Sequence, residues 1–432
     1  MRNRLLLTIS VTALLLACND YDDPFKDDPY PQEPKASRTV LVYVAAENNL
    51  DSFIDMDLEE MKTGSNQLAD DQNLLVYVNR ATSASPYLAR VYRGELVDTV
   101  LMPSLVAGSP AVAADPSVLS LALSKTRELY PAKSYGLVMW GHCKGWLITD
   151  KTWGTKAYGG STGDNTSMGM GRYWMNFPDM SRAIANGMSG EKLSFIFGDC
   201  CSFVSIETAY ELRNVADYII GSPAEIPDRG APYDICVQDF FLDDDDLYRQ
   251  LIDHYYDYWL DVYKMSDMAN RYFNLDVGDL AGYSVPLVAV KSSELENLAT
   301  ATSNLLSAIS DKISSPGNLD LDSTVYYGFS DYRYLYDMNH VIKKNAAAQD
   351  YSAWKSAFDK AVPYALHSSK WLCMNITLCR DVDCFDKIPA ADCGTVSMFF
   401  PATLYDTTRP NWNKAIQQLQ WNNVIHWEQY GW

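Results

Sequence analysis

Residues 135–146, YGLVMWGHCKGW, run an apolar stretch straight into a glycine, one of the chain's five histidines and a cysteine. Residues 193–203, LSFIFGDCCSF, repeat the pattern and stop at Asp199, Cys200 and Cys201. Short continuous apolar runs of this kind read as strands buried on both faces of a parallel sheet. TVLVYVAAE (39–47), NLLVYVN (73–79) and ADYIIGSP (216–223) read the same way, and YLARVYRGE (87–95) reads as a more exposed strand. Helical spacing lies between them: Leu50, Phe53, Ile54, Leu58 and Met61, then a helix opened by Pro116, then 178–188, then 203–215 from near Ser202. Alternating strands and helices over 38–225 predict an α/β/α sandwich around a mainly parallel central sheet. In open α/β sheets, reacting groups gather beyond the carboxyl ends of the strands. His142 and Cys201 each fall just past such an end, so parallel neighbours would bring an imidazole and a thiol to one rim. That pairing suits a thiol nucleophile served by a histidine acid/base.

Composition narrows the functional classes. The 432 residues are 47% hydrophobic, enough for a large core, and carry a formal charge of −20 with no basic run, which excludes a nucleic-acid partner. Arg2 and Arg4 precede the apolar run LLLTISVTALLLA (5–17), which ends at Cys18. The end LLLAC resembles the lipobox of bacterial lipoproteins. The expected organisation is a signal peptide over 1–17, an acidic, proline-containing tether over 18–37 held to a membrane through lipid on Cys18, an α/β core over 38–290 and a C-terminal part, 291–432, adding helices and strands. The expected location is extracytoplasmic, at the periplasmic or outer face of an outer membrane, as a monomer.

The ordered motifs carry a family resemblance. YPAKSYGLVMWGHCKGW (130–146), FGDCCSFVSIETAYEL (197–212) and ADYIIGSPAEIPDRGAPYD (216–234) resemble the clostripain-like cysteine peptidases of caspase-like fold. The matching positions are Trp140, His142, Gly145 and Trp146; Asp199 and Cys201; Glu207, Ala209 and Tyr210; Ser222, Gly230 and Tyr233. RTVLVYVAAENNLD (38–51) and CGTVSMFFP (393–401) look like the family's first strand and a C-terminal strand. The resemblance implies a Cys201 nucleophile, a His142 general base and acid, and an oxyanion site from the main-chain N–H groups of Cys143 and Cys201. It also implies cleavage after Arg or Lys, with Asp199 and Asp228 receiving the basic side chain. Two positions depart from the pattern. Cys143 stands where glycine is usual and would be strained at positive φ. Cys200 precedes the nucleophile, and strand alternation lets only one of the two thiols face the site; the motif selects Cys201.

Other readings stay open. Asp199 could instead cap the following helix. The fold could persist without peptidase activity, or the chain could be a lipid-anchored binder of peptides or glycans. The Gly/Ser/Thr-rich stretch 147–176 reads as a long loop, with Lys151, Lys156 and Arg172 as self-processing candidates. Asp243–Asp246 form an acidic turn; no cofactor is required, though some members of the family depend on calcium, and no metal site has recognised spacing. Cys373, Cys379, Cys384 and Cys393 suggest a disulfide. Trp412, Trp421, Trp427 and Trp432 should pack a terminal helix onto the core. His254, His340, His367 and His426 read as structural.

Overall fold

The first apolar run becomes the centre of a sheet because both of its faces are covered. Along β1 (Ala36–Ala46), Leu41, Tyr43 and Ala45 enter one hydrophobic layer, while Val40, Val42 and Val44 enter the other. The computed structural model describes residues 36–81, 85–102, 112–148, 158–161, 173–265, 280–328, 333–369, 371–375, 378–381, 390–408 and 410–432.

The main sheet takes nine strands: β1, β2 (Gln72–Arg80), β3 (Tyr87–Tyr92), β4 (Glu95–Leu101), β5 (Ala132–Trp140), β8 (Leu193–Asp199), β9 (Ala216–Gly221), β10 (Leu287–Lys291) and β12 (Tyr364–Leu366). Their order is β12-β10-β9-β8-β5-β1-β2-β3-β4. The five central strands run parallel, and antiparallel pairs close both edges. Arg93 and Gly94, both at positive φ, make the two-residue turn from β3 to β4, the conformation that matches strand twist. Short pairs lie outside the sheet: β6 (Tyr158–Ser161) with β7 (Tyr173–Met175), β11 (Tyr336–Asp337) with β15 (Ser397–Met398), and β13 (Leu372–Asn375) with β14 (Leu378–Asp381).

Helices α1 (Ile54–Ser65), α5 (Tyr233–Cys236) and α6 (Asp244–Lys264) cover one face through Leu58, Met61, Tyr233, Leu251 and Trp259. Helices α2 (Pro116–Leu129), α3 (Phe177–Gly187), α4 (Ile206–Leu212) and α7 (Leu295–Ala308) cover the other through Leu119, Leu123, Ile184 and Leu298. The chain leaves β1 toward β2 on one side, while β5, β8 and β9 extend the sheet on the other. The strand order therefore reverses between β1 and β5, and beyond the carboxyl ends of strands at such a reversal is where open α/β sheets place their ligands.

Several elements differ from expectation for local reasons. The helix after the two thiols starts at Ile206, not near Ser202, because Ser202 sits at φ +51° and Ser205 caps it: Thr208 N–H donates to Ser205 Oγ, and Ser205 N–H donates to Thr208 Oγ1. The aspartate run opens α6 instead of breaking a helix, with carboxylates favoured at a helix N-terminus. Asp243 there pairs with Arg38. The tail forms short turns, Trp412–Ala415 and Asn422–Ile425 joined by 3-10 segments, although Trp421 and Trp427 are fully buried as expected. The stretch 147–176 carries β6 and β7; Lys151, Lys156 and Arg172 lie outside the described residues. So do Cys18, residues 18–35 of the expected tether and the side chains of Cys373, Cys379 and Cys384, whereas Ala36 and Ser37, expected at the end of the tether, begin β1, and Cys393 is a free thiol. Among the described residues no helix is long and apolar enough to cross a membrane, and no cluster of His, Cys, Asp or Glu could hold a metal ion.

Candidate active site

Register sets the site. Trp140, the last residue of β5, pairs with Asp199, the last residue of its parallel neighbour β8. Two residues past each stand His142 and Cys201, so both leave adjacent strands at the same rim. Burial is the largest influence on the proton affinity of both groups, and the Lys144 ammonium adds a smaller lowering to each. Gly141 (φ +150°) makes the turn into the histidine; a Cβ there would lie 3.1 Å from the Ala45 carbonyl oxygen. Gly145 (φ +67°) takes the second unusual conformation. Cys143 does not adopt positive φ, so the strain expected at this departure is absent.

The two adjacent thiols separate by depth. Cys200 is buried in the hydrophobic layer that holds Met139 and Ile196, its thiol in contact with that of Cys143. Cys201 is partly exposed, and its Sγ accepts from Ile226 N–H at 3.5 Å. Burial, and then the Glu225 carboxylate, push the Cys201 thiol up to about 12. Burial, and then Lys144, hold His142 down to about 4. Near neutral pH the Cys201 thiol is therefore protonated and the His142 imidazole neutral. The His142 Nε2 lies 2.8 Å from Asn49 Oδ1, in the 3-10 turn that follows β1.

Beneath the rim, on the α1 and α6 face, lies a group of carboxyls. Asp199 Oδ2 accepts from Tyr233 O–H at 2.7 Å and from Ala231 N–H at 3.1 Å. It does not cap the next helix; Ser205 does. Its Oδ1 is buried with no close hydrogen bond among the described residues, although the Tyr255 hydroxyl stands beside the carboxyl and favours its charged form; Oδ1 of Asp228 and Oδ1 of Asp57 are likewise buried without a hydrogen bond among the described residues. Burial is the first cause that raises Asp199 and Asp228, each to about 6. Gly230 (φ +62°) lets the 228–231 loop lie against Asp199: a Cβ there would come within 2.5 Å of Oδ2. Arg229 is tied to Glu60 at 2.7 Å.

Asp57, on α1, accepts from Trp140 Nε1 at 2.7 Å. Burial, then the charges of Asp199 and Glu60, raise it to about 9. The folded protein thus keeps this proton long after an unfolded aspartate, near 3.9, has lost it. Its contribution is fully present below the unfolded value and is lost as pH rises through the window from about 4 to 9. Asp57→Asn keeps the acceptor for Trp140 and removes the titration. Thermal melts from pH 5 to 9 should fall less steeply for the variant than for the parent; parallel slopes would refute the assignment.

A family model described as the clostripain family matches residues 42–424. The chain belongs to the clostripain family. It is a cysteine-type peptidase of caspase-like α/β fold. A secreted C11 cysteine protease from Bacteroides thetaiotaomicron, solved with an irreversible peptide inhibitor, is 26% identical with a TM-score of 0.72, over 91% of this chain and 99% of that one. An inactive zymogen C11 protease from Parabacteroides distasonis is 22% identical with a TM-score of 0.66, over the same shares, and bears on the fold alone. No curated protein matches the chain. Within this clostripain-family fold the motifs had marked His142, Asp199 and Cys201, and the strand register brings them to one rim. They had not marked Asn49, Asp57 or Glu60. Asn49 falls inside the stretch RTVLVYVAAENNLD (38–51), whose likeness is that of a strand and does not single it out, and Asp57 and Glu60 follow on α1, where the helical spacing of 50–61 shows only its apolar residues.

Proposed function

We propose that the protein is a cysteine endopeptidase that cuts after Arg or Lys through a Cys201/His142 dyad. The register of β5 with β8 carries this reading, because it sends the imidazole and the thiol past neighbouring strand ends. The neutral pair supports a mechanism in which the proton leaves Sγ as sulfur attacks the scissile carbonyl. The Sγ–C bond forms, the carbonyl oxygen takes negative charge, and the N–H groups of Cys143 and Cys201 are the proposed donors to it. The imidazolium then returns its proton to the leaving amine, and water hydrolyses the thioester by the reverse sequence.

The preference for a basic side chain rests on the buried carboxyl oxygens of Asp199 and Asp228 that have no close hydrogen bond among the described residues. A guanidinium offers five N–H donors in a planar fork and would satisfy both. A form beginning at Ala36, the start of the compact unit, should release fluorophore from Arg- and Lys-terminated peptides and leave an Asp-terminated peptide intact. Equal turnover of all three would remove the assigned preference.

A further inference from the structure

We propose that Asn49 is the positioning residue for His142: it holds the ring with Nε2 protonated, leaving Nδ1 as the atom that takes the Cys201 proton. This rests on the reading of His142 as general base. A neutral imidazole carries one N–H and one lone pair, and the partner of one nitrogen decides which atom is the base. Asn49 Oδ1, 2.8 Å from Nε2, is an acceptor and so selects the Nε2–H tautomer. The thiol proton then moves from Sγ to Nδ1 as the Sγ–C bond forms, and from Nδ1 to the amine as the C–N bond breaks.

The 3-10 turn Asn49–Phe53, which follows β1 and is capped by Asn48, is pinned at the strand-order reversal independently of the Asn49 side chain. Asn48, its neighbour, is buried; its side chain accepts from Leu50 N–H and donates to the Ala45 carbonyl, both at 2.9 Å. Asp51 holds Arg80 at 3.0 Å and also accepts from Ala81 N–H. Asn48 and Asp51 shape the turn, while Asn49 is exposed on its rim with its amide at the imidazole.

An amide suits this position where a carboxylate would not. A carboxylate beside the ring would favour the imidazolium and raise its proton affinity, whereas an amide orients without adding charge. The other charges nearby do not supply that carboxylate: Asp51 and Asp55 pair with Arg80, Glu47 accepts from Ala113 N–H, and Lys144 acts on the ring in the opposite sense.

The experiment measures kcat and KM against pH for Asn49→Ala and Asn49→Asp in the full chain, with His142→Ala beside them and melting temperature as the control for folding. Asn49→Ala should lose about 10- to 100-fold in kcat with KM little changed, the scale on which orienting partners act. Asn49→Asp should keep the ring oriented and move the acid limb of kcat upward by about 1–3 pH units, the effect of an opposite charge at this distance. Asn49→Asp stands as the test even if Asn49→Ala melts early. An unchanged acid limb in Asn49→Asp, or full kcat in Asn49→Ala, overturns the proposal. Activity persisting in His142→Ala would instead sink the general-base reading on which it rests.

Discussion

Cys201→Ala should abolish turnover of Arg-terminated peptides, a loss of about 10⁵- to 10⁶-fold in kcat, while the melting temperature stays within a few degrees of the parent. Removing a nucleophile leaves only what binding and oxyanion stabilisation contribute, and the members of such a unit are far from additive. His142→Ala should therefore cost nearly as much, and the double variant hardly more. The fold is spared because Cys201 is partly exposed and the hydrogen bonds of its sulfur go to the main chain of Ile226. Cys200→Ala reverses the pattern. That side chain is buried in the hydrophobic layer, so its loss should lower stability by about 1–2 kcal/mol through a small cavity and leave kcat nearly intact. Measured together, kcat and melting temperature distinguish the thiol that reacts from the thiol that packs.

Asp199→Asn should lower kcat/KM for Arg- and Lys-terminated peptides by about 10²- to 10³-fold, the scale of unpairing a buried cation from its carboxylate. The amide carbonyl can still accept from Tyr233 O–H and Ala231 N–H, which preserves the loop. The amide NH₂ would then occupy the place of Oδ1 and present donors to an incoming cation. The pH dependence follows from the same group. Asp199 is raised to about 6, so it is charged above that pH and neutral below it. In the parent, kcat/KM for basic peptides should rise through pH 6, and this limb should vanish in Asp199→Asn. Alkylation of Cys201 by a small neutral reagent should not change between the two proteins. A variant that keeps its Arg preference would assign Asp199 to the support of the 228–231 loop alone.

The parts legible in the sequence share one cause: strands buried on both faces have no polar alternation. TVLVYVAAE, YGLVMW and LSFIFG carry that pattern and became β1, β5 and β8, and their ends located His142 and Cys201. What stayed hidden depends on contacts between distant segments. Asn49 lies 93 residues from His142 and Asp57 lies 83 from Trp140, and neither spacing leaves a periodic trace. The late start of α4 was obscured by the apolar run Phe203–Val204–Ile206, which can be read as helical although Ser202 takes a left-handed conformation and Ser205 caps the helix. The tail misled for the opposite reason. Trp421, Trp427 and Trp432 are buried and Trp412 partly so, but burial of bulky rings does not require a continuous helix, and His426 and Gly431 at positive φ break the one expected.

If His142 and Cys201 act as one unit, covalent labelling of the thiol depends on the imidazole. The parent and His142→Ala are treated with a limiting amount of an Arg-terminated ketone that alkylates thiols, and the modified peptide is located by mass spectrometry. One adduct is expected, on Cys201, formed rapidly in the parent and at least about 10²-fold more slowly in His142→Ala, since general-base help contributes on that scale. An adduct on Cys143, Cys200 or Cys393, or equal labelling of Cys201 with and without the imidazole, would contradict it.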